Sequence, residues 1–299
     1  MYFERLVMAI MYNDKAKIMK GKVCMITGAN SGIGKATAIG LAKLGASLVL
    51  VCRDKARAEN AIAEIKKETG NESIDLILAD LSSQKSIHKL VSEINNKYDE
   101  LHVLINNAGV NLHKQTFTED GIETTFAVNY LAHFMLCNLL FEKLKKSKHA
   151  RIVNVASSVQ AKSIDFEDLY GDHHYSQWRA YSQSKLAVVL FTYEFAKKVE
   201  GSGVSVNCLH PGYVKTNMIR KYRPFVKYFY HLIGLFMLTP KKGAKTPVYL
   251  ASSPEIDGIS GKYFKKRKEK RSVKISYDTD VAKQLWDVSV KLTNIDFKN

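Results

Sequence analysis

Several things are scarce in this chain. Five prolines and seventeen glycines in 299 residues are too few for long flexible or polyproline linkers. The four cysteines, Cys24, Cys52, Cys137 and Cys208, form no C-x-x-C pair, and each lies in or beside an apolar run. That pattern reads as buried free thiols of a reducing compartment, not as a disulfide scaffold. The nine histidines are scattered, so no metal site is expected. Acidic residues are few: 29 against 45 Lys and Arg, a formal net charge of +16. Between residues 201 and 254 there is no acid and there are eight bases. Such a balance attracts phosphates, an anionic membrane surface or nucleic acid. No run approaches the ~20 apolar residues that span a bilayer; the longest candidate, residues 225–238, is interrupted by Lys227 and His231. Residues 1–12 carry Glu4 and Arg5 and no small-residue cleavage pattern, so no secretory signal is read. The expected location is cytoplasmic, with peripheral contact at a membrane surface left open.

What is present is an alternation. Residues 22–27, 47–52, 74–79, 101–106, 151–156 and 204–209 are short runs rich in Val, Ile and Leu. They do not alternate apolar with polar, as befits strands buried on both faces. Between them lie amphipathic stretches with helical spacing, such as 55–69 and 84–98. Repeated strand–helix alternation predicts a doubly wound α/β fold: one Rossmann-type domain, with a mostly parallel seven-stranded sheet and helices on both faces. Residues 1–20 read as an extension, 21–299 as one catalytic domain without a boundary or repeat. Residues 158–178 read as a polar insertion and 278–292 as a last helix. Residues 262–274 hold eight bases and one acid.

The first strand runs into Gly28-Ala29-Asn30-Ser31-Gly32-Ile33-Gly34 before a helix. Glycines allow a tight turn and close approach of a pyrophosphate, which a helix N-terminus attracts through its dipole and free N–H groups. The G-x-x-x-G-x-G spacing is neither G-x-G-x-x-G nor a P-loop. At the end of the second strand, the place where an acid holds the ribose 2′-hydroxyl in NAD sites carries Cys52, followed by Arg53. A guanidinium suits a 2′-phosphate, so NADP(H) is preferred over NAD(H). A shifted register that gives Asp54 the acid's role keeps NAD open.

Further motifs follow in order: Asp80-Leu81, Asn106-Asn107-Ala108-Gly109, Asn129, Ser157, Tyr181-Ser182-Gln183-Ser184-Lys185, and Pro211-Gly212-Tyr213-Val214-Lys215-Thr216. As an ordered set over residues 20–255, they resemble the short-chain dehydrogenase/reductase family. Tyr181 and Lys185 are four apart and share one helix face. A nearby ammonium is expected to lower the tyrosine pKa, making it an acid–base group. Ser157 is expected to orient a substrate carbonyl and is favoured over Ser158. The resemblance implies that Asn129 holds a water relaying protons through Lys185. It also implies cofactor contacts by Asp80 and Leu81 near the adenine, Asn107, Ala108 and Gly109 near the ribose, and Pro211, Gly212, Val214 and Thr216 near the nicotinamide. A second Tyr-x-x-x-Lys, Tyr193 and Lys197, falls on the same helix; at 1.5 Å per residue it lies roughly 18 Å down the axis, and Tyr193 reads as packing.

Within the family, the chain is most similar to the retinol dehydrogenase group, through Cys52-Arg53-Asp54, Ile164-Asp165-Phe166-Glu167-Asp168-Leu169, His210-Pro211-Gly212 and Gln284-Leu285-Trp286-Asp287. The resemblance implies a lipophilic aldehyde or ketone interconverted with its alcohol. Residues 213–241, with Phe225, Tyr228, Phe229, Tyr230 and Phe236, are expected to form an apolar lid. Other readings keep the chemistry on a sterol, quinone or xenobiotic carbonyl, or keep only NADP(H) binding, as a sensor. No nucleic-acid partner is expected, because no readout motif accompanies the basic run. The apolar surplus around 125–146 and 181–199 allows a homodimer.

Overall fold

The apolar runs become the strands of one sheet. The computed structural model describes residues 18–173, 175–214 and 237–297. Its strands are β1 (Val23–Thr27), β2 (Ser47–Cys52), β3 (Ile74–Leu78), β4 (Val103–Asn106), β5 (Ala150–Val155), β6 (Val204–His210), β7 (Lys262–Lys265) and β8 (Lys268–Glu269). They lie in the order β3-β2-β1-β4-β5-β6-β7-β8. All pairings are parallel except β7 with β8. The order reverses between β1 and β4, whose Ile26 and Ile105 are paired. A doubly wound sheet opens a crevice at the carboxyl ends of such a pair.

The sheet has eight strands, not the seven expected. The six apolar runs supply β1 to β6, and the other two strands come from the basic run, which patterning alone reads as solvated charge. Tyr263 and Phe264 inside it are buried at 4% and 3% exposure and form β7. β8 returns as two exposed residues, Lys268 and Glu269, too short and too polar to register as a strand in the sequence.

The helices are α1 (Gly32–Lys43), α2 (Lys55–Thr69), α3 (Gln84–Lys97), α4 (Thr124–Phe126), α5 (Ala132–Leu139), α6 (Phe141–Lys146), α7 (Gln177–Lys198), α8 (Pro240–Gly243), α9 (Lys245–Ser252) and α10 (Thr279–Thr293). Their ends carry readable chemistry. Asp54, Ser83 and Asp278 accept backbone N–H groups at the starts of α2, α3 and α10, and Gly70 closes α2 in the left-handed conformation. Side-chain caps of this kind satisfy N–H groups that have no partner within the helix. The helices cover both faces. Consecutive strand residues feed opposite cores: Met25 joins the one under α3–α7 and α10, while Cys24 and Ile26 join the one under α1, α2 and α9. That is the period of two expected for a strand buried on both sides.

The apolar surplus on α5 and α7 is met from within the chain. Trp286 of α10 stacks on Phe191 and Phe195 and meets Phe134 edge-on, and Phe297 packs on Phe141. These helices therefore do not by themselves require a second copy. All four cysteines are buried and unpaired. Among the described residues, no helix is long and apolar enough to cross a membrane.

Candidate active site

The glycine turn wraps the carboxyl end of β1. Gly28 has φ +66°, and a Cβ there would stand 2.9 Å from the Ala108 Cα. A Cβ on Gly34 would strike the Gly28 carbonyl and come within 2.5 Å of the Asn107 amide nitrogen. Glycine is required where backbones approach this closely. Thr27 Oγ1 accepts the N–H groups of Asn107 and Ala108 at 2.9 and 3.0 Å, and Asn107 Nδ2 donates to the Thr27 carbonyl at 2.8 Å. The Asn107 side chain therefore clamps the β1 and β4 turns together. Ser31 stands at the N-cap of α1 and makes no side-chain cap bond. The first N–H groups of α1 are thus not capped by Ser31, as suits a helix end that meets a pyrophosphate. Asn30, Ser31, Gly32 and Ile33 are half-buried along this turn. The turn and its helix fit a dinucleotide.

At the end of β2, Cys52 is 4% exposed. Burial raises its thiol pKa, against hydrogen bonds from the Ala29 and Asn30 backbones. Arg53 is 73% exposed and reaches Asp80 at 3.7 Å. Asp54 is committed to capping α2 by accepting the Arg57 N–H at 3.0 Å. Asp80 also accepts the Ser82 N–H and hydroxyl at 2.9 and 2.7 Å. Burial works to raise its pKa, but the Ser82 bonds and Arg53 outweigh it and hold the carboxyl below its usual range. Leu81 beside it is buried. The residue after β2 is thus an exposed cation beside Asp80.

Asn129 lies in a π-helical turn, Ala127–Leu131, between α4 and α5. Widened turns of this kind recur at functional sites. Its Oδ1 accepts the Val110 N–H at 2.7 Å, and its Nδ2 donates to the Val110 carbonyl at 2.9 Å and to Ser184 Oγ at 3.0 Å. The amide thereby ties the Gly109–Val110 backbone to α7. Both its N–H directions are used, so the side chain can meet a water only as an acceptor, through the second lone pair of Oδ1.

Ser157 follows β5, and Tyr181 and Lys185 lie on the first turns of α7. Ser157 is 6% and Lys185 4% exposed. Lys185 Nζ donates to the Val155 carbonyl at 2.9 Å and stands 5.9 Å from the Tyr181 ring centroid. Burial lowers the Lys185 pKa to about 8. The Tyr181 pKa is raised, not lowered as expected: burial pushes it up and the Ser157 hydrogen bond only partly offsets this. One ammonium proton is held by the Val155 carbonyl, and the lysine charge is not among the causes that set the Tyr181 shift. Ser158 points elsewhere, to His210 Nε2 at 3.2 Å and the Tyr213 hydroxyl at 3.3 Å. Tyr193 stacks on Tyr277 at 5.3 Å and bonds Ser272 at 2.8 Å, in a packing role far from the turn.

The polar insertion is pinned to α7 on either side of Tyr181. Arg179 reaches Asp165 and Asp168 at 2.9 Å each, and Gln183 Oε1 accepts the Asp165 N–H at 3.0 Å. The Pro211-Gly212 loop returns past the crevice, with Gly212 at φ +96° against Leu238. Val214 bridges to Leu238 and packs on Gly243, itself beside Ile33. Thr216 and most of the expected lid, residues 215–236, lie outside the described residues.

Two groups at the site, Tyr263 and His133, were not singled out from the sequence, and His210 was read only as part of a motif. Tyr263 donates to the Ser157 carbonyl at 3.1 Å. His210 is held neutral, its pKa lowered to about 4 by burial and then by Lys265. His133 is fully buried, one helical turn beyond Asn129, and neither ring nitrogen makes a well-formed hydrogen bond, the Ala108 backbone being a weak partner. Burial, then the Lys185 charge, lowers its pKa to about 3. The four-residue spacing from Asn129 is the signal that points to it.

The comparisons with known proteins agree with this geometry. The short chain dehydrogenase family matches residues 22–227. Retinol dehydrogenase 14 of Mus musculus is 43% identical over 93% of this chain and 87% of its own length. Retinol dehydrogenase 13 of Homo sapiens is 41% identical over 92% and 86%. A crystal structure of an uncharacterized protein from Mycobacterium Paratuberculosis superposes with a TM-score of 0.76 at 29% identity, covering 94% of this chain and 96% of that one. Fold, crevice and sequence together place this chain in the short-chain dehydrogenase family.

Proposed function

We propose that the chain is an NADP(H)-dependent oxidoreductase that interconverts a lipophilic, retinoid-like or long-chain aldehyde or ketone with its alcohol. The observation that carries the chemistry is the convergence of Ser157, Tyr181 and Lys185 at the carboxyl ends of β4 and β5, beside the glycine turn. The cofactor supplies or removes the hydride. The glycine turn and the start of α1 cradle its pyrophosphate, and Arg53, with no acid at Cys52, favours a 2′-phosphate. Asp80 and Leu81 flank the adenine. Asn107, Ala108 and Gly109 lie along the ribose, and Pro211, Gly212, Val214 and Thr216 border the nicotinamide.

Ser157 orients the substrate oxygen. Tyr181 donates its proton to that oxygen during reduction and accepts one during oxidation. A phenol kept protonated by burial is the form that reduction needs. Lys185 has three protons; one holds the Val155 carbonyl, leaving the others for the ribose and a proton-carrying water. Asn129 acts as a positioning residue, fixing the Gly109–Val110 backbone. The likeness to retinol dehydrogenases supports a lipophilic substrate, and the aromatic composition of residues 213–241 suits one.

The test is oxidation of NADPH and NADH with retinaldehyde, a long-chain aldehyde, a steroid ketone and a small polar ketone. Turnover with NADPH and the lipophilic aldehydes is expected. Turnover with NADH alone would overturn the reading of Arg53, and preference for the polar ketone would overturn the substrate class. Tyr181→Phe should leave NADPH binding intact and lower kcat about 10²–10⁴-fold.

A further inference from the structure

Apart from Tyr263, which holds the Ser157 carbonyl, and Lys265 beside His210, the most highly charged segment of the chain has no part in the site described above. Residues 262–274 carry eight cations and one acid, and the structure folds them into the β7–β8 hairpin. Lys265 pairs in register with His210, the last residue of β6. The turn beyond it therefore stands on the carboxyl edge of the sheet, where Ser157 and Tyr181 also lie. Its two residues, Lys266 and Arg267, both hold positive φ, 54° and 63°. A tight hairpin needs this conformation, which Asn-Gly adopts far more readily. Here the turn presents cations instead. Residues 266–271 are exposed. Among the described residues, Lys262–Glu269 at 3.4 Å is the segment's one salt bridge.

Aromatic side chains stand on the same edge. Tyr213 is 63% exposed and meets the His210 ring edge-on at 5.4 Å. Trp178, on the first turn of α7, is 67% exposed. Exposed Tyr and Trp on the same sheet edge as exposed Lys and Arg match the headgroup layer of an anionic membrane, which takes aromatic rings at its boundary and cations at its surface. A nucleic-acid surface calls for a cationic groove with stacking platforms, whereas these charges project from a hairpin at the end of a sheet.

We propose that this edge docks on an anionic phospholipid bilayer through the β7–β8 hairpin, turning the carboxyl edge of the sheet, where Tyr213, Ser157 and Tyr181 lie, toward the lipid that carries the substrate. The proposal rests on the lipophilic-substrate reading above and adds the surface by which that substrate is delivered.

The experiment is flotation of the full chain with vesicles of phosphatidylcholine alone and of phosphatidylcholine with phosphatidylserine, at low and high salt. Binding is expected only with phosphatidylserine and is weakened by salt. The triple variant Lys266→Glu, Arg267→Glu, Lys268→Glu should lose at least about a hundredfold in partitioning, at roughly fivefold for each of the three cations removed, and the added carboxylates increase the loss. The same reversal at Lys85, Lys89 and Lys148, exposed lysines on other elements, should change it far less. NADPH oxidation with a water-soluble aldehyde should be unchanged in the hairpin variant, which shows that it is folded, while KM for vesicle-embedded retinaldehyde rises. Equal binding to neutral vesicles, equal loss in the two triple variants, or preference for double-stranded DNA over the anionic vesicles would overturn the proposal. Vesicle binding without retinaldehyde turnover would instead overturn the substrate reading and leave the docking surface standing.

Discussion

Ser157 and Ser158 are neighbours in sequence with different partners in space. Ser157 faces Tyr181, whereas Ser158 is taken by His210 and Tyr213. Ser157→Ala should therefore lower kcat about 10²-fold, the order seen when one donor to a developing oxyanion is removed. Ser158→Ala should change kcat by less than about threefold, because it removes one ordinary hydrogen bond of about 0.5–1.5 kcal/mol away from the reacting oxygen. Steady-state kinetics on both variants separates the two. The buried Lys185 adds a pH dependence. Its pKa of about 8 lies below that of the burial-raised phenol, so in the free enzyme the lysine is first to lose its proton as pH rises. For reduction, kcat/KM should fall as pH rises through about 8. In Lys185→Arg, whose guanidinium stays charged, that limb should move upward even if the absolute rate drops. An alkaline limb unmoved by the substitution would assign it to another group.

At the scale of elements, what was legible follows the physics of burial. The strands from β1 to β6 stood out because both their faces are covered, which leaves continuous runs of Val, Ile and Leu. α2 and α3 stood out because one face is solvated. β7 did not, because Tyr263 and Phe264 are flanked by lysines that stay in water. The π turn at Asn129 has no sequence signature, and the raised Tyr181 pKa depends on where a flexible ammonium comes to rest. The glycine turn was legible as a motif, but its tolerance is set by contacts across the β1–β4 crevice. Gly34→Ala places a methyl group against the Gly28 carbonyl and the Asn107 amide, so α1 must move away from β1. The expected results are a loss of about 1–3 kcal/mol of stability, in the range of overpacking, and at least about tenfold weaker NADPH binding, a 1.4 kcal/mol effect. Fluorescence titration together with urea unfolding checks both. Gly70→Ala, at a helix end with open space around it, should destabilise the fold without weakening binding.

For the whole molecule, the two histidines buried near the site make stability depend on acid. His133 and His210 have pKa values of about 3 and about 4, against 6.5 when exposed. Burial disfavours their charged forms, so between these values and 6.5 the unfolded chain binds more protons than the folded one. Stability must then fall as pH drops below 6.5, at up to roughly 1.4 kcal/mol per pH unit for each group. The carboxylates Asp75 and Asp80, whose folded pKa values are lowered, add to the loss only further down, as pH falls through their own range. His133→Leu removes a titrating ring whose nitrogens make no well-formed hydrogen bond, only a weak one to the Ala108 backbone, and replaces it with a similar apolar volume. Urea midpoints measured between pH 6.5 and 4 should show a shallower acid slope in this variant, with stability near neutral pH little changed. An identical slope would mean that the ring is already charged or hydrated in the native fold. In that case, the buried face of α5 beneath Asn129 and Lys185 holds water.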